Sequence, residues 1–204
     1  MHLTDEQVLD RRARRTRQAL KSALVSLILD KGFDSVTIMD IAARADYNRG
    51  TFYKHFVSKE DLLKEIHDEF LQGIAELLVE PYEGMERIEA SMTYPSGLRL
   101  FEHIEQHKDV FLALSRVERG KLAMDMYDRL RESMRKDMHI EMEPTEPPVD
   151  YEIMLSYRMS ATVGVIMHWA EVNFKYTASY MAEQLIVLVE AKMDYIVFKR
   201  NGRG

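Results

Sequence analysis

The run Val36-Thr-Ile-Met-Asp40-Ile-Ala-Ala-Arg-Ala45-Asp-Tyr-Asn-Arg-Gly50-Thr-Phe-Tyr-Lys-His55-Phe-Val-Ser-Lys-Glu60-Asp-Leu62 decides the fold. It holds three helix starts in close succession. Thr37 is an N-cap residue, and Asp40, three positions on, completes a capping box with Val36 and Ile41 at the positions of a hydrophobic staple. Ser58 and Asp61 repeat the pattern, with Val57 and Leu62 as the staple. Between them Asn48 caps a short helix, flanked by Tyr47 and Phe52. The spacing predicts a helix over 38–45, a turn at Asp46–Tyr47, a helix over 49–55 and a new start at 59. Two short helices joined by a tight turn form a helix-turn-helix, whose second helix commonly enters the DNA major groove.

The second helix carries side chains suited to that groove. Phe52 and Phe56, four apart, face inward, which leaves Arg49, Thr51, Tyr53, Lys54 and His55 facing outward. A glycine within a helix costs about 1 kcal/mol relative to alanine, so Gly50 asks for a reason. Close backbone approach to a partner supplies one.

Charge agrees with this placement. The chain has 204 residues and a net charge of −6. From Arg11 to Lys59 there are 11 Lys/Arg against 4 Asp/Glu, while the remainder holds 17 against 30. A basic segment on an acidic body suits one end for a polyanion. The arginines at 11, 12, 14, 15 and 17 read as an N-terminal arm that attracts phosphate without sequence preference.

Helical spacing continues on both sides. Leu20, Ala23, Leu24, Leu27 and Ile28 line one face of a helix from about Asp10 to Lys31, closed by Gly32. Further helices are expected over 60–79, 97–115, 119–138, 150–173 and 178–199. Breaks fall near Pro81–Gly84, Tyr94–Gly97 and Pro144–Pro148. The fold class is all-α: a helix-turn-helix domain over 9–71 and a larger helical domain over 72–204.

Several function classes drop out. Cysteine is absent, which removes disulfides, thiolate zinc sites and cysteine nucleophiles. The start has no apolar segment typical of a signal peptide, and no apolar stretch approaches the roughly 18–20 residues of a membrane span. A soluble cytoplasmic protein is expected, with no membrane partner. No Gly-rich phosphate loop, nucleophile elbow or paired-carboxylate arrangement stands out, so neither catalysis nor a cofactor is expected. His103 and His107 share a helical face at a spacing able to bind metal, but no third ligand is evident and a solvated face explains the pair.

The pattern Thr16…Ala19-Leu20…Ala23-Leu24…Gly32-Phe33…Val36-Thr37…Asp40-Ile41-Ala42…Ala45, followed by Gly50-Thr-Phe-Tyr-Lys-His-Phe56 and Ser58-Lys-Glu-Asp-Leu62, closely resembles the TetR/AcrR family of bacterial transcriptional regulators. It departs at Asp46, where the family usually has glycine, and at Asn48, where it has Ser or Thr. Asp tolerates left-handed geometry and Asn caps equally well. The resemblance implies that Tyr53, His55 and Lys59 contact or orient the DNA backbone, and that Thr37 makes another phosphate contact. It implies that Tyr47, Asn48, Arg49, Gly50 and Thr51 meet base edges and adjoining phosphates, with Lys54 beside them. Arg49 can pair bidentately with guanine O6 and N7.

For residues 72–204 the resemblance implies dimerisation and an effector pocket. The stripe Ala182, Leu185, Ile186, Val189, Met193, Ile196 and Val197 is wider than the chain's own core needs, which predicts a two-fold, four-helix interface. Gly164 on the preceding helix permits close approach. Phe101, Phe111, Met124, Tyr127, His168 and Trp169 are the expected pocket wall. The expectation is a homodimeric repressor of a palindromic operator on double-stranded DNA, released by a small apolar or amphipathic effector. The rival keeps the DNA-binding head but drops the small molecule, leaving a nucleoid or cell-division factor or a regulator that meets a protein partner.

Overall fold

In a computed structural model, the structure describes residues 5–82, 85, 94–137 and 147–190. The described residues form eight α-helices: α1 (Asp5–Lys31), α2 (Ile38–Arg44), α3 (Arg49–Tyr53), α4 (Lys59–Val79), α5 (Tyr94–Gln106), α6 (Lys108–Asp137), α7 (Tyr151–Glu171) and α8 (Ala178–Glu190). Short 3₁₀ turns follow α1 and α4.

The head is a three-helix unit. The predicted face of α1 is buried, and Val36, Ile41, Phe52 and Phe56 close over it. Leu62, Ile66, Phe70 and Ile74 recur every four residues along α4 and are all buried, so this helix runs from the head into the larger domain as a continuous strut. There α5 packs on α8 and α4, and α6 on α4, α7 and α1. A single apolar cluster joins the two parts.

The helix boundaries differ from the sequence reading in two places. Tyr94–Gly97 is not a break but the first turn of α5, where Pro95 lacks only a donor that would have gone unpaired anyway. The break falls instead at His107, with backbone bonds from His107 N–H to the His103 carbonyl and from Phe111 N–H to the His107 carbonyl, both 3.0 Å, spanning the joint. No glycine or proline marks that position. The gap expected between 115 and 119 is a kink within α6, at Glu118 (φ −143°, ψ 61°).

Candidate nucleic-acid interface

The turn between α2 and α3 is a Schellman motif. Asp46 sits at φ 59°, Asp46 N–H bonds the Ala43 carbonyl at 3.1 Å, and Tyr47 N–H bonds that of Ala42 at 2.8 Å. Asp46 thus takes the left-handed position usually given to glycine. The three caps form as predicted: Asp40 N–H to Thr37 Oγ1 at 3.2 Å, Thr51 N–H to Asn48 Oδ1 at 2.8 Å, and Asp61 N–H to Ser58 Oγ at 3.1 Å. The Asp61 carboxylate reaches back to the N–H of Val57 rather than of Ser58. Val57 is 83% exposed and staples nothing, whereas Val36 and Ile41 are both buried.

Six of the expected contact residues, Tyr47, Asn48, Arg49, Gly50, Tyr53 and Lys54, lie exposed on one end of the head, with Thr51 and His55 half-buried beside them. Arg49 donates to the Tyr53 hydroxyl at 3.1 Å, with its guanidinium 5.3 Å from the ring centre, so the two side chains are ordered together along α3. Tyr47 is steadied from α1, its hydroxyl 3.5 Å from Thr16 Oγ1. Gly50 gains a second explanation: a Cβ there would fall 3.2 Å from the Oδ1 that caps the helix. Burial, then the charges of Arg17 and Lys54, hold His55 below its ordinary value, so the ring is neutral at pH 7.

Two residues expected to meet phosphate are engaged within the protein. The Lys59 ammonium donates to the carbonyls of Phe33 and Val36, each at 2.9 Å, and of Asp34 at 3.4 Å, and lies 4.5 Å from the Phe33 ring. It ties the start of α4 to the turn after α1. Thr37 spends its hydroxyl on Asp40, donating to Oδ2 at 2.7 Å. That hydroxyl and Lys31 hold the Asp40 carboxyl far below the usual carboxylate range.

Arg17 corrects the arm reading more sharply. The arginines at 11, 12, 14 and 15 extend α1, but Arg17 turns inward. It donates to the His55 carbonyl at 3.1 Å, bonds Glu65 through Nε (3.2 Å) and pairs with it again through Nη2, and lies 4.4 Å from the Phe56 ring. Lys21, one turn on, bonds Glu65 at 2.6 Å and also Glu69. Burial raises the Glu65 carboxyl, and the hydrogen bonds from Lys21 and Arg17 more than reverse this, leaving it below its ordinary value. A clamp of two cations and two carboxylates, each pair four residues apart, thus joins α1 and α4 and, through the His55 carbonyl, the segment just after α3. The matched spacing was present in the sequence.

Among the described residues the expected pocket wall is divided between core and surface. Phe101, Phe111 and Trp169 are fully buried, with edge-to-face pairs at 5.4 Å for Phe101–Trp169, 4.9 Å for Trp169–Phe174 and 6.1 Å for Phe111–Phe174. Tyr127 is half-buried, and its hydroxyl meets Ser156 Oγ at 2.8 Å. Met124, 59% exposed, and His168 stand on the surface instead. Phe174 fills the middle because a second Schellman motif (Phe174 N–H to the Trp169 carbonyl, 2.9 Å) folds it back over α7.

Among the described residues the expected dimer stripe is only partly exposed. Leu185 is half-buried against the chain's own core, Ile186 is half-buried, and the side chains of Val189 and Met193 lie outside the described residues. The exposed face belongs mostly to α7: Ile153, Tyr157, Ala161, Gly164 and His168 follow one another at helical spacing, with Tyr180, Val187 and Leu188 on α8. A Cβ on Gly164 would meet nothing within 4 Å. The i, i+4, i+8, i+11 run of Ile153, Tyr157, Ala161 and Gly164 was the overlooked signal. Among the described residues no helix is long and apolar enough to cross a membrane.

Two family profiles match. One, described as bacterial regulatory proteins of the tetR family, covers residues 21–66. The other, described as a transcriptional regulator C-terminal region, covers 93–191. The chain is 19% identical over 186 residues to the uncharacterized HTH-type transcriptional regulator YxbF of Bacillus subtilis (strain 168), spanning 91% of this chain and only 47% of that protein. It is 27% identical over 150 residues to the HTH-type transcriptional regulator AcrR of Shigella flexneri, spanning 66% of this chain and 69% of that protein. A crystal structure of a TetR-family regulator from Syntrophomonas wolfei superposes with a TM-score of 0.65 at 20% identity, covering 89% of this chain and 98% of that one.

Proposed function

This chain belongs to the TetR family of bacterial transcriptional regulators and is a DNA-binding regulator; from that premise we propose that it is a homodimeric repressor of a palindromic operator, released by a small-molecule effector. The observation that carries the dimer is the α7–α8 face, where an apolar and small-residue run lies exposed around Gly164. A run of that kind on two successive helices suits self-association into a four-helix interface. Two copies related by a two-fold axis present two α3 helices, which engage successive major grooves when about 34–36 Å apart. Because each head hangs from α4, a small swing of that strut alters the spacing. An effector that prefers the wrongly spaced state lowers operator affinity by its differential binding, typically about 5–150-fold.

In this reading Arg49 reads bases, Tyr47, Asn48, Gly50, Thr51, Tyr53, Lys54 and His55 meet the backbone and groove, and Thr37 and Lys59 set helix positions. The solid aromatic cluster in the larger domain favours a second reading, in which a protein partner replaces the small molecule. Sedimentation and operator binding test both. A dimer that binds a palindrome and is released by a small molecule supports the first. A chain that stays monomeric at micromolar concentration removes the dimer, and a compound screen that finds nothing to release DNA leaves the partner reading.

A further inference from the structure

A cleft of about 460 Å³ lies at the seam between head and larger domain, between α1, α4, α5 and the start of α6. That volume is within the range of small-molecule sites, which favour such seams. The cleft is separate from the aromatic cluster of Phe101 and Trp169. Val25, Ile66 and Phe70 line it with apolar surface.

One wall is built around two imidazoles. His103 rests in a notch of α4, since a Cβ on Gly73 would fall 2.6 Å from its Cε1. Its ring lies 5.5 Å from Phe70 and 4.4 Å from His107. Burial, then the charge of His107, push His103 below its ordinary value, so this ring is neutral at pH 7. His107 donates its Nδ1–H to the His103 carbonyl at 2.8 Å, so Nε2 is the ring nitrogen that this bond does not use.

The charge of the cleft has a definite sign. Asp30, Glu69 and Asp109 line it against one cation, Lys21. Lys21 is already taken by Glu65 and Glu69, and Asp30 by Arg44 at 2.9 Å. Asp109 has no ion pair among the described residues. We propose that this cleft binds a small amphipathic amine, its apolar part on Val25, Ile66 and Phe70 and its ammonium among Glu69, Asp109 and His107 Nε2. The inference rests on effector control and gives it a location and a ligand charge. An ammonium that competes for Glu69 leaves Lys21 to Glu65, the same carboxylate that Arg17 grips while it holds the His55 carbonyl. Occupancy thereby reaches the recognition helix through one shared acceptor.

Three probes of similar size test this on the full chain: 2-phenylethylammonium, 2-phenylethanol and 3-phenylpropionate, followed by thermal shift and calorimetry. The amine should bind and raise Tm, the alcohol should bind more weakly, and the carboxylate should not bind. Glu69→Gln should lower amine affinity roughly tenfold or more. Ser22→Trp, at an exposed position on the cleft wall, should abolish binding, with the circular dichroism spectrum reporting on folding. The His103 and His107 imidazole resonances of the unmodified protein should move on titration with the amine. Equal binding of amine and carboxylate, unmoved imidazole resonances at saturation, or undiminished binding in folded Ser22→Trp overturns the cleft. A compound that releases DNA equally from the natural chain and from Ser22→Trp also overturns it, while leaving effector control standing. Amine binding that leaves DNA affinity unchanged supports the cleft and refutes effector control through it.

Discussion

Replacing Arg17 by Gln separates two roles that an arginine near DNA can have. Were it part of a basic arm, its loss would remove a phosphate contact, and the slope of log K against log salt would fall by about 0.9 per protomer. The structure gives it other work: the His55 carbonyl at 3.1 Å, Glu65 through two nitrogens, and the Phe56 ring at 4.4 Å. Its side chain is 35% exposed, which weakens the ion pair below the value of a buried one. A charged hydrogen bond to a carbonyl contributes about 1.5–3 kcal/mol and a surface pair about 0.2–1, so the loss should be about 2 kcal/mol after screening. The expected result is a lower denaturation midpoint and weaker operator binding with the salt slope unchanged. Arg15→Gln, at an exposed position on the same helix, should do the opposite and reduce the slope at constant stability. Both can be read from urea melts and fluorescence anisotropy over a range of salt concentrations. An Arg17→Gln protein with natural stability and a slope lowered by about one unit would refute the clamp.

Arg49→Ala should cost about 1–3 kcal/mol on the preferred site and relax its specificity, whereas Tyr53→Ala should weaken all sequences evenly; binding to operator and random DNA distinguishes them. Tyr157→Glu, at a position 72% exposed in one protomer, should give folded monomers in the ultracentrifuge, while Leu185→Glu, packed on the core, should lower Tm. Glu65 has a lowered carboxyl, so its stabilisation is fully present above the ordinary value of about 4.3 and is lost as pH falls through the lower folded value; Glu65→Gln should flatten the acid limb of the stability profile.

The head was legible because its determinants are local. Each cap lies three positions from its N3 partner and the turn residue two from the cap of the helix that follows, and propensity and side-chain chemistry agree at Thr37, Asp46, Asn48 and Ser58. Arg17 misled, and the partners of Lys59 were not legible, because a cation in a basic segment looks the same whether it faces phosphate or a carbonyl. The acceptors that claim them, at Phe33, Val36, His55 and Glu65, are 23–48 residues away in sequence. The larger domain hid its surface for a related reason. Leu185 and Ile153 are equally apolar, and only the packing of α5 on α8 decides that the first turns inward.

The two engaged cations bear on how control can work. A head attached to α4 by apolar contacts alone would swing with little preference for any one angle. Lys59 fixes the start of α4 to the turn after α1, and Arg17 fixes the end of the recognition segment to the second turn of α4. Recognition helix, α1 and the first turns of the strut then move as one body. In the proposed effector control, the swing of the head would be taken up further along α4, beyond Glu69, where the helix meets His103 in its notch at Gly73. Under the proposed effector control, a ligand between α1 and α5 sits across that bend, so its binding energy would act on the angle of the whole head as well as on the acceptor that Lys21 shares with Arg17.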